Sequence, residues 1–348
     1  MNNNAILTNA IPSEFDNLSN KFKKFFVKDN DLPIGVLQEP YFEKLLNTYV
    51  HYNEHYGKND IKKKMKDFVD ALEYFDYNED NFSSYSRKLI DQVINGITSN
   101  ETYKNLISNE LKEFNIVKKV KRNDLYTRAN FGKTFLSIDL KSANFFSLKY
   151  YSDEIINNSD TYEDFIRNYT DLEHFINSKQ LRQVIFGNLN PKRQIKIQEF
   201  VINKIIDLIV SNNILPIENF VTSSSDEIII DLTNVSFQRE IMKDISKLIF
   251  DTENKISKFC KFQIFNLEKI SDKHSFCRKN ILFEVNKNLE IVESQINEYK
   301  NVPKTVFSQV FKYNVGMKMY EEDFAFYVKL SDEIDTMLFA KKSIFEEN

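Results

Sequence analysis

The chain has 348 residues, 42% of them hydrophobic, a net charge of −4 and two cysteines. That composition suits two or three globular domains with real cores and excludes a disordered chain, while Cys260 and Cys277 are too few for a disulfide framework or a four-thiolate metal centre. No apolar run approaches the ~20 residues of a membrane span, and the opening MNNNAILTNAIPSEFD lacks the basic and apolar regions of an export signal, so an intracellular protein with reduced thiols and no membrane partner is expected.

Residues 14–115 place apolar side chains at three- and four-residue spacing in EFDNLSNKFKKFF, EPYFEKLLNTYVHYNEHY, DIKKKMKDFVDALEYF, SYSRKLIDQVINGI and TYKNLISNELKEFN. That spacing predicts helices, punctuated by Pro33, Gly35, Pro40 and Gly57, and a helical N-terminal domain over 1–120. His51 and His55 lie four apart on one of these helices, but Glu does not directly follow the first His and no third ligand is apparent, so they read as a polar helix face. His174 and His274 are solitary.

After a basic connector at 117–122 the pattern changes. A strand is expected at 134–140, helices at 142–157 and 161–177, and a long helix at 179–186 and 192–212 broken at Gly187-Asn-Leu-Asn-Pro191. A hairpin at 217–233, a helix at 235–258 and a strand at 260–270 follow. This order predicts an α+β fold with a split β-α-β, ferredoxin-like antiparallel sheet and helices on one face, occupying 121–278. Residues 279–348 are expected to form a mostly helical C-terminal region, interrupted by Pro303 and Gly316.

Two segments carry chemistry. In FLSIDLKSANFFSL, Asp139 should end a strand that feeds a helix opening at Ser142; in NFVTSSSDEIIIDLT, Asp226 and Glu227 should sit at a hairpin tip. Carboxylates brought together from two strands can hold two divalent cations about 3.5–4 Å apart, the arrangement that clamps both ends of an in-line phosphoryl displacement. Mg²⁺, or Mn²⁺ in its place, prefers such oxygen ligands. Charge supports a phosphate-handling role: residues 118–149 carry a net +6 and 179–196 a net +5, leaving −15 for the rest of a chain whose total is −4. Lys179 and Arg182 share a helix face, and Lys192 and Arg193 follow the break.

IDLKSANFF resembles the first motif of the palm domain of nucleotide polymerases, and PIENFVTSSSDEIIIDLT is similar to the palm hairpin, most of all in its translesion (Y-family) form. KQLRQVIFGNLNPKRQ, between them, is similar to the basic finger helix of replicative polymerases. The resemblance covers about 130–275. It implies a palm with finger-like inserted helices, metal held by Asp139, Asp226, Glu227 and the backbone carbonyl of Leu140, and a triphosphate cradled by Lys141, Ser142 and Asn144 with Lys179, Arg182, Lys192 and Arg193. Asp272-Lys273-His274, after the last strand, would place a cation near the triphosphate. The implied activity is a small, possibly primase-like DNA or RNA polymerase acting on nucleoside triphosphates and a nucleic-acid template or primer.

The chain also departs from that pattern. Lys141 stands where many palms carry a second acid, no aromatic residue follows Asp139 directly although Phe145 and Phe146 come soon after, and Ser223-Ser224 replace the Gly-Gly of diguanylate cyclases. The alternatives are a cyclase or oligonucleotide synthase of the same fold, and an inactive palm-like nucleic-acid-binding or assembly protein.

Overall fold

The apolar spacing of the first third yields helices α1 (Ser13–Asp16), α2 (Asn20–Asp29), α3 (Tyr41–Tyr56), α4 (Ile61–Tyr74), α5 (Glu79–Ser99) and α6 (Glu101–Ser108). The structure, a computed structural model, describes residues 10–30, 32, 41–56, 60–116, 120–270, 275–286, 288–303 and 307. Each helix from α4 to α6 starts where a side-chain oxygen accepts from an otherwise orphaned N–H: Asp60 from Lys63, Asn78 from Asn81, and Asn100 from Thr102 and Tyr103. Among the described residues no helix is long and apolar enough to cross a membrane.

Strand β1 (Thr134–Leu140) leads into α7 (Ala143–Tyr151), α8 (Tyr162–Ile166), α9 (Glu173–Ile176), α10 (Lys179–Gly187) and α11 (Pro191–Ser211). The hairpin β2 (Phe220–Ser223) and β3 (Glu227–Asp231) comes next, then α12 (Gln238–Thr252), α13 (Asn254–Ser257), β4 (Cys260–Lys269), β5 (Cys277–Val285), β6 (Ile291–Glu293) and β7 (Asn297–Lys300). The sheet is antiparallel in order β2-β3-β1-β4-β5-β6, with β7 also paired to β5. Strand β1 therefore lies between the hairpin and β4, although five helices separate it from the hairpin in sequence.

The two faces of the sheet differ. Leu136, Ile138, Leu140, Ile228, Ile230 and Ile264 alternate onto the helix-packed face, while Phe135, Ile229, Phe265 and Leu267 form a smaller apolar cluster on the other. The larger cluster is continuous with the N-terminal helices, running from Phe15 and Phe68 through Phe165 and Ile205 to Ile264. Helices α2 and α5 pack on α10, and α4 packs on α9. No apolar discontinuity marks the boundary expected near 120, where residues 117–119 lie outside the described residues. Both cysteines are free and buried, and burial pushes their thiols up to about 12 for Cys260 and about 11 for Cys277.

Two expectations need correction. The start of the supposedly helical C-terminal region, through Lys300, is β5 to β7 instead. Short runs such as ILFEV and IVE satisfy both apolar periods, and pairing of β5 along the edge of β4 decides between them. Residues beyond 303, Phe307 excepted, lie outside the described residues. The single helix expected at 161–177 is broken into α8 and α9, because Thr170 leaves the helix to accept from Leu172 N–H and to bond Tyr85 Oη at 2.7 Å.

Candidate active site

Strand register brings the first two acids together. Asp139 is the direct cross-strand partner of Glu227 on β3 and, on its other side, of Lys261 on β4. Directly opposed residues share a face with Cβ atoms roughly 5 Å apart, so all three side chains leave the sheet on the side of the smaller apolar cluster, opposite the described helices. Asp226 joins them at the hairpin turn, where its carbonyl accepts from Leu140 N–H at 2.8 Å and ties the turn to the end of β1.

Serine hydroxyls orient the acids. Ser137, two residues before Asp139 and so on its face, donates to Glu227 Oε1 at 2.6 Å. Ser224 donates to Asp226 Oδ1 at 2.9 Å and accepts from Glu227 N–H at 2.9 Å, while Ser225 also reaches Asp226 Oδ1 at 3.3 Å. The turn sequence Ser-Ser-Asp thus builds its own support. Burial, then the neighbouring charges of Glu227 and Asp226, raise the Asp139 carboxyl to about 6, against the opposing pull of Lys261 and Lys279.

Three neighbouring carboxylates, of which Asp139 has a raised pKa, are hard oxygen donors of the kind that Mg²⁺ or Mn²⁺ prefers. Among the described residues no group of three or more His, Cys, Asp or Glu side chains is placed so that it could hold a metal ion. Beyond the acids the network continues across the same face: Lys261 Nζ lies 3.7 Å from Glu284 Oε1, which also accepts from Gln263 at 2.6 Å.

The turn after β1 is strained. Ser142 adopts a left-handed backbone (φ 48°, ψ 45°) at the start of α7, and its side chain does not cap that helix. Its hydroxyl instead accepts from Arg182 Nη1 at 3.3 Å, and the Arg182 guanidinium lies 5.4 Å from the centre of the Tyr162 ring. Lys141, Ser142, Tyr162, Lys258, Phe259 and Asn286 line a cavity of about 490 Å³ next to this turn. Asn144 faces α11, where its Oδ1 accepts from buried Gln198 at 2.9 Å. A second recess, of about 380 Å³, holds Glu227 with Arg122, Tyr126 and Thr222. Arg122 reaches it because Asn123 is pinned to β2, donating to Thr222 Oγ1 at 2.8 Å and to the Val221 carbonyl at 2.7 Å.

Other basic residues lie elsewhere. Lys192 and Arg193 line a separate recess with Glu110 and Lys112, and Arg193 Nη1 donates at 2.6 Å to the carbonyls of both Leu106 and Asn109, closing the end of α6. Lys149 is buried against Asp153 at 2.7 Å. Arg193→Ala should accordingly lower stability by about 1–2 kcal/mol, measured by urea denaturation, and leave nucleic-acid affinity unchanged. Lost affinity at constant stability would restore Arg193 to the binding surface. Buried His174 bonds Asp29 at 3.1 Å and packs on Phe68, and His51 Nδ1 is 4.0 Å from Glu54. The side chain of His55 and the segment Asp272-Lys273-His274 lie outside the described residues.

Ser137, Lys261, Gln263 and Glu284 were not singled out by motif. Ser137 has a sequence signal, since period-2 alternation places it on the face of Asp139. The others depend on which strand pairs with β1, which no local pattern states. No protein family, curated protein or solved structure matches the chain in comparison with known proteins.

Proposed function

We propose that the chain is a nucleotidyltransferase, a small DNA or RNA polymerase that joins nucleoside triphosphates on a nucleic-acid substrate by a two-metal mechanism. The observation that carries this reading is the register pairing of Asp139 with Glu227, with Asp226 beside them and the Asp139 carboxyl raised by burial and then by those two charges. The strand order, with β1 between the hairpin and β4, agrees with a palm, and the face carrying the acids, on which no helix packs among the described residues, agrees with a surface over which a primer terminus could lie.

In this reading Asp139, Asp226 and Glu227 would hold the divalent cations, which would supply charge neutralisation and a lowered pKa for the attacking hydroxyl. The protein's own part is positional. Ser137 and Ser224 fix two carboxylates, Arg182 and Lys141 flank the turn that receives phosphates, and the cavity beside Ser142 offers Tyr162 and Phe259 as apolar walls for a nucleoside.

Lys261, placed opposite Asp139, favours a second reading: an inactive palm-like nucleic-acid-binding protein in which an ammonium permanently supplies the charge a metal would bring. Labelled-nucleotide incorporation on DNA, RNA and no template, with Mg²⁺ and with Mn²⁺, separates the two. Incorporation on a template supports the polymerase, template-free oligonucleotide or cyclic product the synthase alternative, and nucleic-acid binding without any product the inactive reading.

A further inference from the structure

Residues 122–126 line the recess at Glu227, and hydrogen bonds on either side fix their backbone. The Val120 carbonyl accepts from Ser223 Oγ at 3.3 Å, the Asn123 carbonyl from Thr222 Oγ1 at 2.9 Å and the Tyr126 carbonyl from Asn301 Nδ2 at 2.8 Å. Asp124 is held from within, its Oδ1 accepting from Tyr126 N–H at 3.0 Å. The Arg122 side chain is the exception. It is exposed and makes no hydrogen bond or ion pair among the described residues, where every other described arginine has a partner.

The recess, of about 380 Å³, thus gathers three chemistries. Arg122 brings a guanidinium whose fork of N–H donors suits a phosphate. Buried Leu125 and Ile229, with Tyr126, bring an apolar side. Glu227 brings a carboxylate that, when ionised, only accepts; Ser137 donates to its Oε1, and no described residue donates to its Oε2. A phosphate, a flat base and a sugar hydroxyl are the complements of those three, and together they make one nucleotide. The volume lies toward the lower end of the ~300–1,000 Å³ of small-ligand sites. One unpaired guanidinium matches one phosphate, and the carboxylates of Asp124 and Glu227 repel any further ones.

We infer that the recess at Glu227 binds a nucleoside 5′-monophosphate, with its phosphate on Arg122, its base against Tyr126 and Ile229, and its 3′-hydroxyl donating to Glu227. That hydroxyl then lies at the acid cluster as an acceptor, so a free nucleotide can begin a strand where no primer is present. In that step the 3′-oxygen bonds to the α-phosphorus of a nucleoside triphosphate and the bond from that phosphorus to the bridging oxygen breaks. Pyrophosphate leaves, and the hydroxyl proton passes to water. The joining step rests on the polymerase reading; the affinity for the monophosphate does not.

Calorimetric titration with AMP in metal-free buffer tests the site, with adenosine, 3′-deoxy-AMP and ATP as comparison titrants. Arg122→Gln should weaken AMP by about tenfold, the effect of one charge-assisted contact, and leave adenosine unchanged. Lys121→Gln, an exposed neighbour outside the recess, should change neither. Wild type should bind 3′-deoxy-AMP about tenfold more weakly than AMP, and ATP no more tightly. Equal AMP affinity in wild type and Arg122→Gln overturns the inference. So does an affinity lost in Arg182→Gln but kept in Arg122→Gln, which would seat the nucleotide beside Ser142. Labelled AMP supplied with triphosphates on an unprimed single-stranded template reads the joining step. Primer extension without any AMP-started product overturns the initiating role, whereas AMP bound through Arg122 by a protein that forms no product at all upholds the site and sinks the polymerase reading.

Discussion

Nucleotide incorporation by Asp226→Asn is expected to fall by about a thousandfold with nucleic-acid binding intact. Metal-bound charge stabilisation is worth several kcal/mol in a transition state, and each ~1.4 kcal/mol lost is a tenfold loss in rate. The substitution is clean in structural terms. Asparagine keeps the Oδ1 acceptor that Ser224 and Ser225 address, and the bond from Leu140 N–H runs to the backbone carbonyl, which the side chain does not touch. What disappears is the charge that holds a cation. A quench-flow comparison under saturating nucleotide reads the rate, and filter binding reads the affinity. Wild-type product from Asp226→Asn would end the polymerase assignment. Arg182→Ala should behave differently, raising the nucleotide concentration required more than it lowers turnover, if its phosphate contact is equally strong in ground and transition states.

The parts of this site that were legible in sequence are those set by local rules. Asp139 ends a period-2 apolar run, and Ser-Ser-Ser-Asp-Glu interrupts another, so strand, turn and acids could be placed from the residues alone. The antiparallel α+β sheet followed from the order of those elements. Long-range pairing was not legible. Lys261 faces Asp139 because β4 returns beside β1, and β5 to β7 exist as strands because β4 leaves an edge to cover. Charge counting also had a limit. It placed Arg193 and Lys149 in positive runs, but a guanidinium closing a helix end and an ammonium buried on Asp153 look the same in sequence as ones facing a ligand. Lys64 shows the converse. It sits in a KKKMK run that reads as a solvated face, and only the fold, which packs α4 on α9, leaves that one lysine half-buried.

The contribution of Asp139 to the stability of the metal-free protein should fall as pH rises from about 4 to about 6, and Asp139→Asn should remove that contribution. The Asp139 carboxyl sits at about 6 in the folded protein against 3.8 as its ordinary value, so between those limits the unfolded chain has released the proton that the folded chain keeps. Folded protein then binds more protons than unfolded, and stability declines with rising pH, by up to about 1.4 kcal/mol per unit for one group. Above pH 6 the full penalty of a buried carboxylate beside Glu227 and Asp226 is present, on the order of 2–3 kcal/mol, tempered by Lys261. Asp139→Asn should thus equal the wild type at pH 4 and exceed it by that amount at pH 7.5, measured by urea denaturation across the range. Mn²⁺ reverses the ordering if the acids are its ligands. Bound cation favours the carboxylate, so it should stabilise wild type at pH 7.5, release protons on binding near pH 6, and leave Asp139→Asn nearly unaffected. A pH slope that persists in Asp139→Asn would move the raised group elsewhere, and equal stabilisation of both proteins by Mn²⁺ would place the cation away from Asp139.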